Sequence, residues 1–399
     1  MKALVMAGGR GSNMAPFSAT RPNPMIPVAG QYVIDHIITL LKGAGINDIN
    51  IVVGHRKEKM RAHLSESTPQ GVSVHFVDQG KPEGIGKAIL KARDRFSPGE
   101  NILLVYADTM TTNNIFSVAM QSFGLSNEPT AAICLTESGE KYGNVYLDSG
   151  TKITKIIEKP GKKEGLGNYV LAGVFVLPFR FFEFLDKAGA DMEKALKSVI
   201  KNTNLHAAIW DGDWLDMAYP WDILTANKSI MDTWSSAEVH QSVTISGSAL
   251  KGPVRISEGV EIMPGAVMEG PAYIGPGSFI GHNVLIRPYT CIGANSVIGH
   301  GSELKNCVIF PGARVGRSCF IGDSVIGEGV SLGAGVMTIN HRIDQSPVRV
   351  KVNKTAMETG LAKLGAFIGD GAVVGALNSI AAGTVIEAAR SIDHNCSVR

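Results

Sequence analysis

Charge of either sign in excess is the first thing this chain lacks. Its 38 Lys and Arg residues face 36 Asp and Glu, and only 19% of the residues are charged. That balance gives no reason to expect a nucleic acid or an anionic membrane surface as partner. No apolar run approaches the roughly 18 residues of a membrane-spanning helix, so a span is not expected. The opening Met1-Lys2-Ala3-Leu4-Val5-Met6 stays apolar only as far as Gly8, which reads as a first strand rather than a secretory leader. The five cysteines (Cys134, Cys291, Cys307, Cys319, Cys396) show neither CxxC spacing nor an even count. They indicate no zinc site and no disulfide framework, and read as small buried fillers in a reducing cytoplasm. What is present is 44% apolar residues in a chain of 399, enough for two domains that each bury a core.

Residues 1–235 alternate short apolar strands, at 2–6, 49–53, 73–77 and 101–106, with helix-spaced segments at 32–43, 57–65 and 85–95. The alternation predicts an α/β Rossmann-like domain on a parallel, doubly wound sheet. Ligands on such sheets bind beyond the carboxyl ends of the strands. Gly8, Gln79 and Asp108 each follow a predicted strand and are expected to converge on one crevice. Over 236–399 the period changes. Ile256, Ile262, Met268, Ile274, Ile280, Ile286, Ile292, Ile298 and Leu304 recur at every sixth position. The ladder shortens by one residue before Ile309 and again before Ile326, breaks over 337–363, and resumes from Ile368 to Val398. A six-residue period with glycine beside the apolar position predicts a parallel β-helix of hexapeptide repeats.

The loop Ala7-Gly8-Gly9-Arg10-Gly11 follows the first strand directly, and glycines there let main-chain N–H groups approach a phosphate. Downstream stands Arg21-Pro22-Asn23-Pro24-Met25-Ile26-Pro27. Together the two segments resemble the signature of the sugar-1-phosphate nucleotidylyltransferases, G-G-x-G-T-R-[LM]-x-P followed by R-P-K-P-M-x-P. The hexapeptide ladder resembles the left-handed β-helix of the bacterial acyltransferase superfamily, whose members are generally trimers. The pairing of the two halves resembles the bifunctional N-acetylglucosamine-1-phosphate uridylyltransferase/glucosamine-1-phosphate acetyltransferases. It is closer still to archaeal sugar-1-phosphate nucleotidylyltransferases of the same layout, and the resemblance spans essentially the whole chain.

The resemblance implies transfer of a nucleotidyl group from UTP or dTTP to a sugar 1-phosphate, giving a nucleotide sugar and pyrophosphate, with Mg²⁺ as cofactor. Ala7, Gly8, Gly9 and Gly11 would then cradle phosphates beside Arg10, Gln79 would read the base, Gly84 would lie against it, and Asp108 and Asp216 would hold the metal. Gly143, Glu158, Lys159 and Gly173 fall in segments matching the family's Y-G, E-K-P and A-G motifs on the sugar side. Glu158 would accept from sugar hydroxyls and Lys159 would neutralise the sugar phosphate. The plainer alternatives are helix caps for Asp108 and Asp216, a surface ion pair for Glu158 and Lys159, and a solvated loop amide for Gln79. The chain departs from the family where ligand would be touched: Asn13 stands for Arg, Asn23 for Lys, Ile85 for Thr, Ala107 for Gly and Leu171 for Asn. Losing one charge clamp at a transferring phosphate costs about 10³-fold in rate, and Arg10, Arg21 and Lys159 are the cations left to substitute. Two readings stay open: a working enzyme with relocated cations, and a catalytically eroded paralogue that binds nucleotide or sugar phosphate as regulator or scaffold.

In the coil, Arg287 and Lys305 match the arginine and lysine that bind the sugar phosphate in the bifunctional family, and Asn340 matches a later asparagine of that family. The position of its catalytic histidine holds Arg317, and that of the following tyrosine holds Phe320. A guanidinium is no general base near neutral pH, which argues against acetyl transfer. The basic residues of 337–363 (Arg342, Arg349, Lys351, Lys354, Lys363) either bind coenzyme A phosphates or belong to a segment that packs on a neighbouring coil. The expected partners are an NTP, a sugar 1-phosphate and further copies of the chain in a homotrimer, or an active paralogue in a hetero-oligomer. The expected location is the cytoplasm.

Overall fold

A computed structural model describes residues 1–136, 139–160 and 167–399. The chain divides into two compact units, Met1–Arg10 with Val33–Asp216, and Gly11–Tyr32 with Met217–Arg399. Residues 11–32 and 217–235 pack with the coil, through apolar contacts that sequence periodicity does not register.

In the first unit the strands form a nine-stranded sheet. Lys2–Met6, Asp48–Val53, Ser73–Asp78 and Asn101–Tyr106 lie side by side and parallel, within a residue or so of their predicted bounds. Ala3, Leu4, Val5, Leu103, Leu104 and Val105 are buried, as expected of central parallel strands covered on both faces. The sheet is not parallel throughout. Tyr169–Pro178 joins Asn101–Tyr106 antiparallel and pairs antiparallel with Thr130–Leu135 and Gly143–Leu147, and the latter pairs with Ile153–Glu158. Helices Val33–Gly43 and Lys57–Ser67 form where the apolar spacing placed them. The third expected helix is shorter, Ile85–Leu90, because the bonds from Ala92 N to Ile89 O and from Arg95 N to Ala92 O tighten the chain into a 3₁₀ turn at Arg93–Arg95.

The second unit is a left-handed β-helix whose three sheets contain eight short parallel strands each. Equivalent residues pair one coil apart, as in Ile262 with Ile280. Coils ending at Ile309 and Ile326 are one residue shorter, so Ile292 pairs with Ile309 and Ile309 with Ile326. Both contractions fall at one corner, after Glu303–Lys305 and after Phe320–Gly322. On the next coil this corner opens into the excursion that carries the hairpin Arg349–Val352/Thr355–Glu358. The ladder residues fill the interior of the coil, nearly all of them fully buried.

One sheet of the coil is also buried on its outer face. Cys291, Val308, Val325 and Phe367 alternate with the inward Ile292, Ile309, Ile326 and Ile368, yet all eight are buried. Residues 11–32 and helix Asp222–Asp232 lie over this face. Phe17 meets Phe310 with ring centroids 5.1 Å apart, and a side chain at Gly30 would run into the Tyr273 ring. The buried Asn227 accepts from Ala29 N at 3.0 Å and donates to Tyr289 O at 2.9 Å, joining segment, helix and coil. Met14, Phe17, Met25 and Ile26 are 0–1% exposed, and each contributes about 1.5–3 kcal/mol to this packing.

Candidate functional site

In the first unit a cavity of about 570 Å³ lies where the parallel strands meet the antiparallel extension, and it brings together Asp108, Asp216, Gly143, Glu158, Lys159 and Gly173. Asp108 follows strand Asn101–Tyr106, and the next residue, Thr109, pairs with Asp216 in a short antiparallel ladder. Two carboxylates from distant parts of the chain are thus held on neighbouring backbone. Asp108 keeps an exposed surface in this cavity, and partial desolvation by the walls raises its carboxyl above the usual carboxylate range. Burial also raises Glu158, with Glu193 adding to the effect and Lys159 opposing it. Tyr106 lies in the field of both Asp108 and Glu158, and burial followed by those two charges drives its phenol far above its ordinary value.

An added side chain would be crowded at two points of this wall. At Gly143 a Cβ would come within 2.8 Å of Glu158 Oε2 and 3.1 Å of Leu171 Cδ1. Gly173 has φ +77°, and a Cβ there would stand 2.8 Å from Thr109 Oγ1. Lys159 itself adopts φ +46°, its N–H donating to Tyr142 O at 3.1 Å. Sequence reasoning missed Thr109 and Trp214, which donate to Ala172 O at 3.2 and 3.1 Å. It also missed the apolar floor supplied by Ile156, Phe175 and Leu196. The only signal for these was that they flank the motif residues.

The glycine turn begins in the same unit. Ala7 N donates to Val52 O at 3.0 Å, Gly8 is buried, and Gly9 and Arg10 are exposed. Nothing would lie within 4 Å of a Cβ at Gly9, so steric exclusion within the protein does not explain that glycine. Gln79 is 9% exposed and donates through Nε2 to Gly8 O at 2.5 Å. Its amide lies against Gly8 and Gly54, which excludes a solvated loop amide and leaves Oε1 as its acceptor. Gly84, at φ +95°, caps helix Ile85–Leu90.

Gly11, Asn13 and Asn23 belong to the second unit. Gly11 has φ +58° and lies under the Asn23 amide, whose Oδ1 is buried without a hydrogen-bond partner. Asn13 Oδ1 accepts from Asn353 Nδ2 at 2.9 Å. Arg21 is not available to a phosphate. Its side chain is 0% exposed and pairs with Glu328 at 2.9 Å and with Asp370, so of the three cations expected as substitutes only Arg10 and Lys159 remain.

The coil candidates divide between two corners. Lys305 Nζ lies 3.8 Å from Asp323 Oδ2, and Asn340 Nδ2 donates to the same oxygen at 2.6 Å. Arg287, preceding the same corner one coil earlier, pairs with Glu303 at 2.9 Å. Arg317 instead precedes strand Phe320–Gly322, at the opposite edge of that sheet, and the structure does not bring it together with the other three within the chain.

Among the described residues no cluster of three or more His, Cys, Asp or Glu side chains is placed to hold a metal. No helix among them is long and apolar enough to cross a membrane.

Residues 2–233 match the nucleotidyl transferase family, and residues 268–359 match the GMPPB C-terminal domain. The chain is 32% identical to the "Bifunctional protein GlmU" of a Methanococcus maripaludis strain, covering 100% of this chain and 94% of that protein. It is 32% identical to the "Bifunctional sugar-1-phosphate nucleotidylyltransferase/acetyltransferase" of Sulfurisphaera tokodaii, over 92% and 90% of the two chains. Among solved structures, a putative glucose-1-phosphate thymidylyltransferase from Bacillus anthracis shares the fold at TM-score 0.53 and 22% identity, over 58% of this chain and 95% of that one. With its strand-end carboxylates, glycine turn and hexapeptide coil, this chain belongs to the nucleotidyl transferase family, among the sugar-1-phosphate nucleotidylyltransferases.

Proposed function

We propose that the first unit transfers a nucleotidyl group from UTP or dTTP to a sugar 1-phosphate. An oxygen of the sugar phosphate attacks the α-phosphorus, the bond from that phosphorus to the bridging oxygen of the β-phosphate breaks, and pyrophosphate leaves. The observation that carries this reading is the single cavity holding Asp108 and Asp216 together with Glu158 and Lys159. Such a reaction needs positioning and charge neutralisation more than proton transfer.

Two carboxylates that line one cavity from neighbouring backbone suit a hard divalent cation that completes its shell with phosphate and water. Asp108 and Asp216 would hold Mg²⁺, which supplies neutralisation of phosphate charge. Glu158 orients the sugar by accepting from its hydroxyls, Lys159 pairs with the sugar phosphate, and Gly143 leaves the sugar room to enter. Arg10 with the N–H groups of Gly8, Gly9 and Gly11 faces the triphosphate, Gln79 Oε1 accepts from the base, and Gly84 lies against it. Asn13 and Asn23 replace cations with hydrogen-bonding amides.

A pyrophosphate-release assay with UTP or dTTP and a panel of sugar 1-phosphates tests this reading. Mg²⁺-dependent turnover supports it, and no release with any pair refutes it. A second reading, the eroded paralogue, draws support from Asn23, which brings an orphaned oxygen where the family has a cation. Nucleotide-induced thermal stabilisation without turnover would favour it. The coil is read as the element of a cytoplasmic homotrimer, because Met337, Ile339 and Leu377 are exposed near the excursion. Acyl transfer is left out of the reading, since Arg317 cannot act as a base and Asp323 engages Lys305 and Asn340.

A further inference from the structure

We propose that Asp370 and Glu328, both in the β-helix, are positioning residues for nucleotidyl transfer, acting through Arg21 on the segment that contains Gly11, Asn13 and Asn23. The proposal rests on the function assigned above.

Segment 11–32 has little structure of its own. It consists of three 3₁₀ turns, Ser12–Met14, Phe17–Ala19 and Asn23–Met25, and a two-residue ladder of Pro27–Val28 with Gln31–Tyr32. Turns of that length do not hold a conformation unaided, so its shape is imposed by what it touches. Arg21 supplies one anchor to the coil. One Nη of its guanidinium pairs with Asp370 and, at 2.9 Å, with Glu328, while its Cζ lies over the Phe310 ring, 4.7 Å from the centroid. Asp370 also accepts from Thr20 Oγ1 at 2.5 Å, and its second oxygen accepts from Glu328 N at 2.8 Å. One carboxylate thus binds two consecutive residues of the segment and the backbone of the neighbouring coil.

Arg21 Nε and Nη1 are buried without partners. The side chain therefore lies where desolvation is costly, and the two carboxylates are what hold its charge there. If packing alone were needed, an apolar side chain against Phe310 would serve. A planar cation gripped by carboxylates fixes an orientation as well. Asn23 is two residues beyond Arg21, and its amide lies on Gly11, so a rotation at Arg21 is transmitted to the last residue of the glycine turn. A displacement of about 1 Å at positioning groups costs roughly 10²-fold in rate.

The test uses the full chain as wild type, Asp370→Asn, Glu328→Gln and Asp370→Glu. Pyrophosphate release is measured with UTP and with dTTP against glucose 1-phosphate and N-acetylglucosamine 1-phosphate, and amide hydrogen exchange is followed over peptides spanning 8–25. Asp370→Asn is expected to lower kcat about 10- to 100-fold, with KM for the sugar phosphate within about twofold. It should also speed exchange in 8–25 without changing the inner strands of the coil, and Asp370→Glu should recover part of both. Glu328→Gln, altering a side chain that is 41% exposed, should lower kcat about threefold and decides the matter if Asp370→Asn does not fold. Wild-type kcat in both neutralised variants, or unchanged exchange in 8–25, overturns the proposal. A wild-type chain that turns over no substrate pair refutes the assigned function instead, and the exchange experiment then decides whether the grip exists.

Discussion

Partial desolvation lifts the Asp108 carboxyl above its ordinary value, and the sign of the effect on stability follows. A carboxyl that binds its proton more tightly in the folded chain favours folding at low pH. It turns against folding as the pH rises through its raised value. Because Asp108 remains exposed to solvent, water screens most of this effect, and Asp108→Asn is expected to raise the midpoint of thermal unfolding at pH 7 by about 1 °C or less, with no difference near pH 4, while lowering turnover about 10³-fold or more. Calorimetry at the two pH values, beside a pyrophosphate assay, checks both arms. At Gly143 a methyl group would have to displace the ends of the Glu158 and Leu171 side chains, 2.8 and 3.1 Å from it. Gly143→Ala should raise KM for the sugar phosphate about tenfold and leave KM for the NTP unchanged, as initial-rate kinetics would show. Burial pushes the thiols of Cys134 and Cys291 up to about 12 and raises Cys307 and Cys319 as well. An aromatic disulfide reagent at pH 8 should label about one thiol of the folded chain, Cys396, and all five after denaturation.

Among the elements, the coil was the most legible in sequence. Its interior admits one apolar side chain per face, so a six-residue ladder is forced, and even the one-residue contractions before Ile309 and Ile326 appear as altered strand register. The four parallel strands were equally readable. The antiparallel strands, including Tyr169–Pro178, were not, because a ten-residue run buried along most of its length shows no alternation. Asp108, Gly143, Glu158, Lys159 and Gly173 line one cavity, since they end or border strands, whereas Gly8 and Gln79, expected to converge with Asp108, are not among its lining residues. Arg21 could not be placed, because its carboxylates lie 307 and 349 residues away and no local pattern announces them. The same segment separates its two asparagines. Asn13 is exposed and bonded to Asn353, whereas Asn23 lies closed over Gly11. Asn13→Arg alone should raise kcat about 10-fold or more, while Asn23→Lys alone should give no gain and lower the unfolding midpoint. Equal gains from the two in steady-state assays would show that their surroundings do not distinguish them.

Across the whole molecule, the second unit takes in the segment bearing half of the nucleotidyltransferase signature. A chain ending at residue 235 would keep that segment and lose everything it rests on, leaving Met14, Phe17, Met25 and Arg21 without the coil. Such a chain is expected to be largely insoluble on expression, and a soluble, active fragment with native circular dichroism would contradict the packing. Because Arg21 and Asp370 are 349 residues apart, manufacture of the protein imposes a wait. At roughly 5–20 residues per second on the ribosome, the arginine emerges about 20–70 s before its counterion. For that interval the amino-terminal portion carries an unsatisfied cation and a row of bare apolar side chains. Chaperone capture is to be expected at this stage, and the last coils to be translated are the ones that release it.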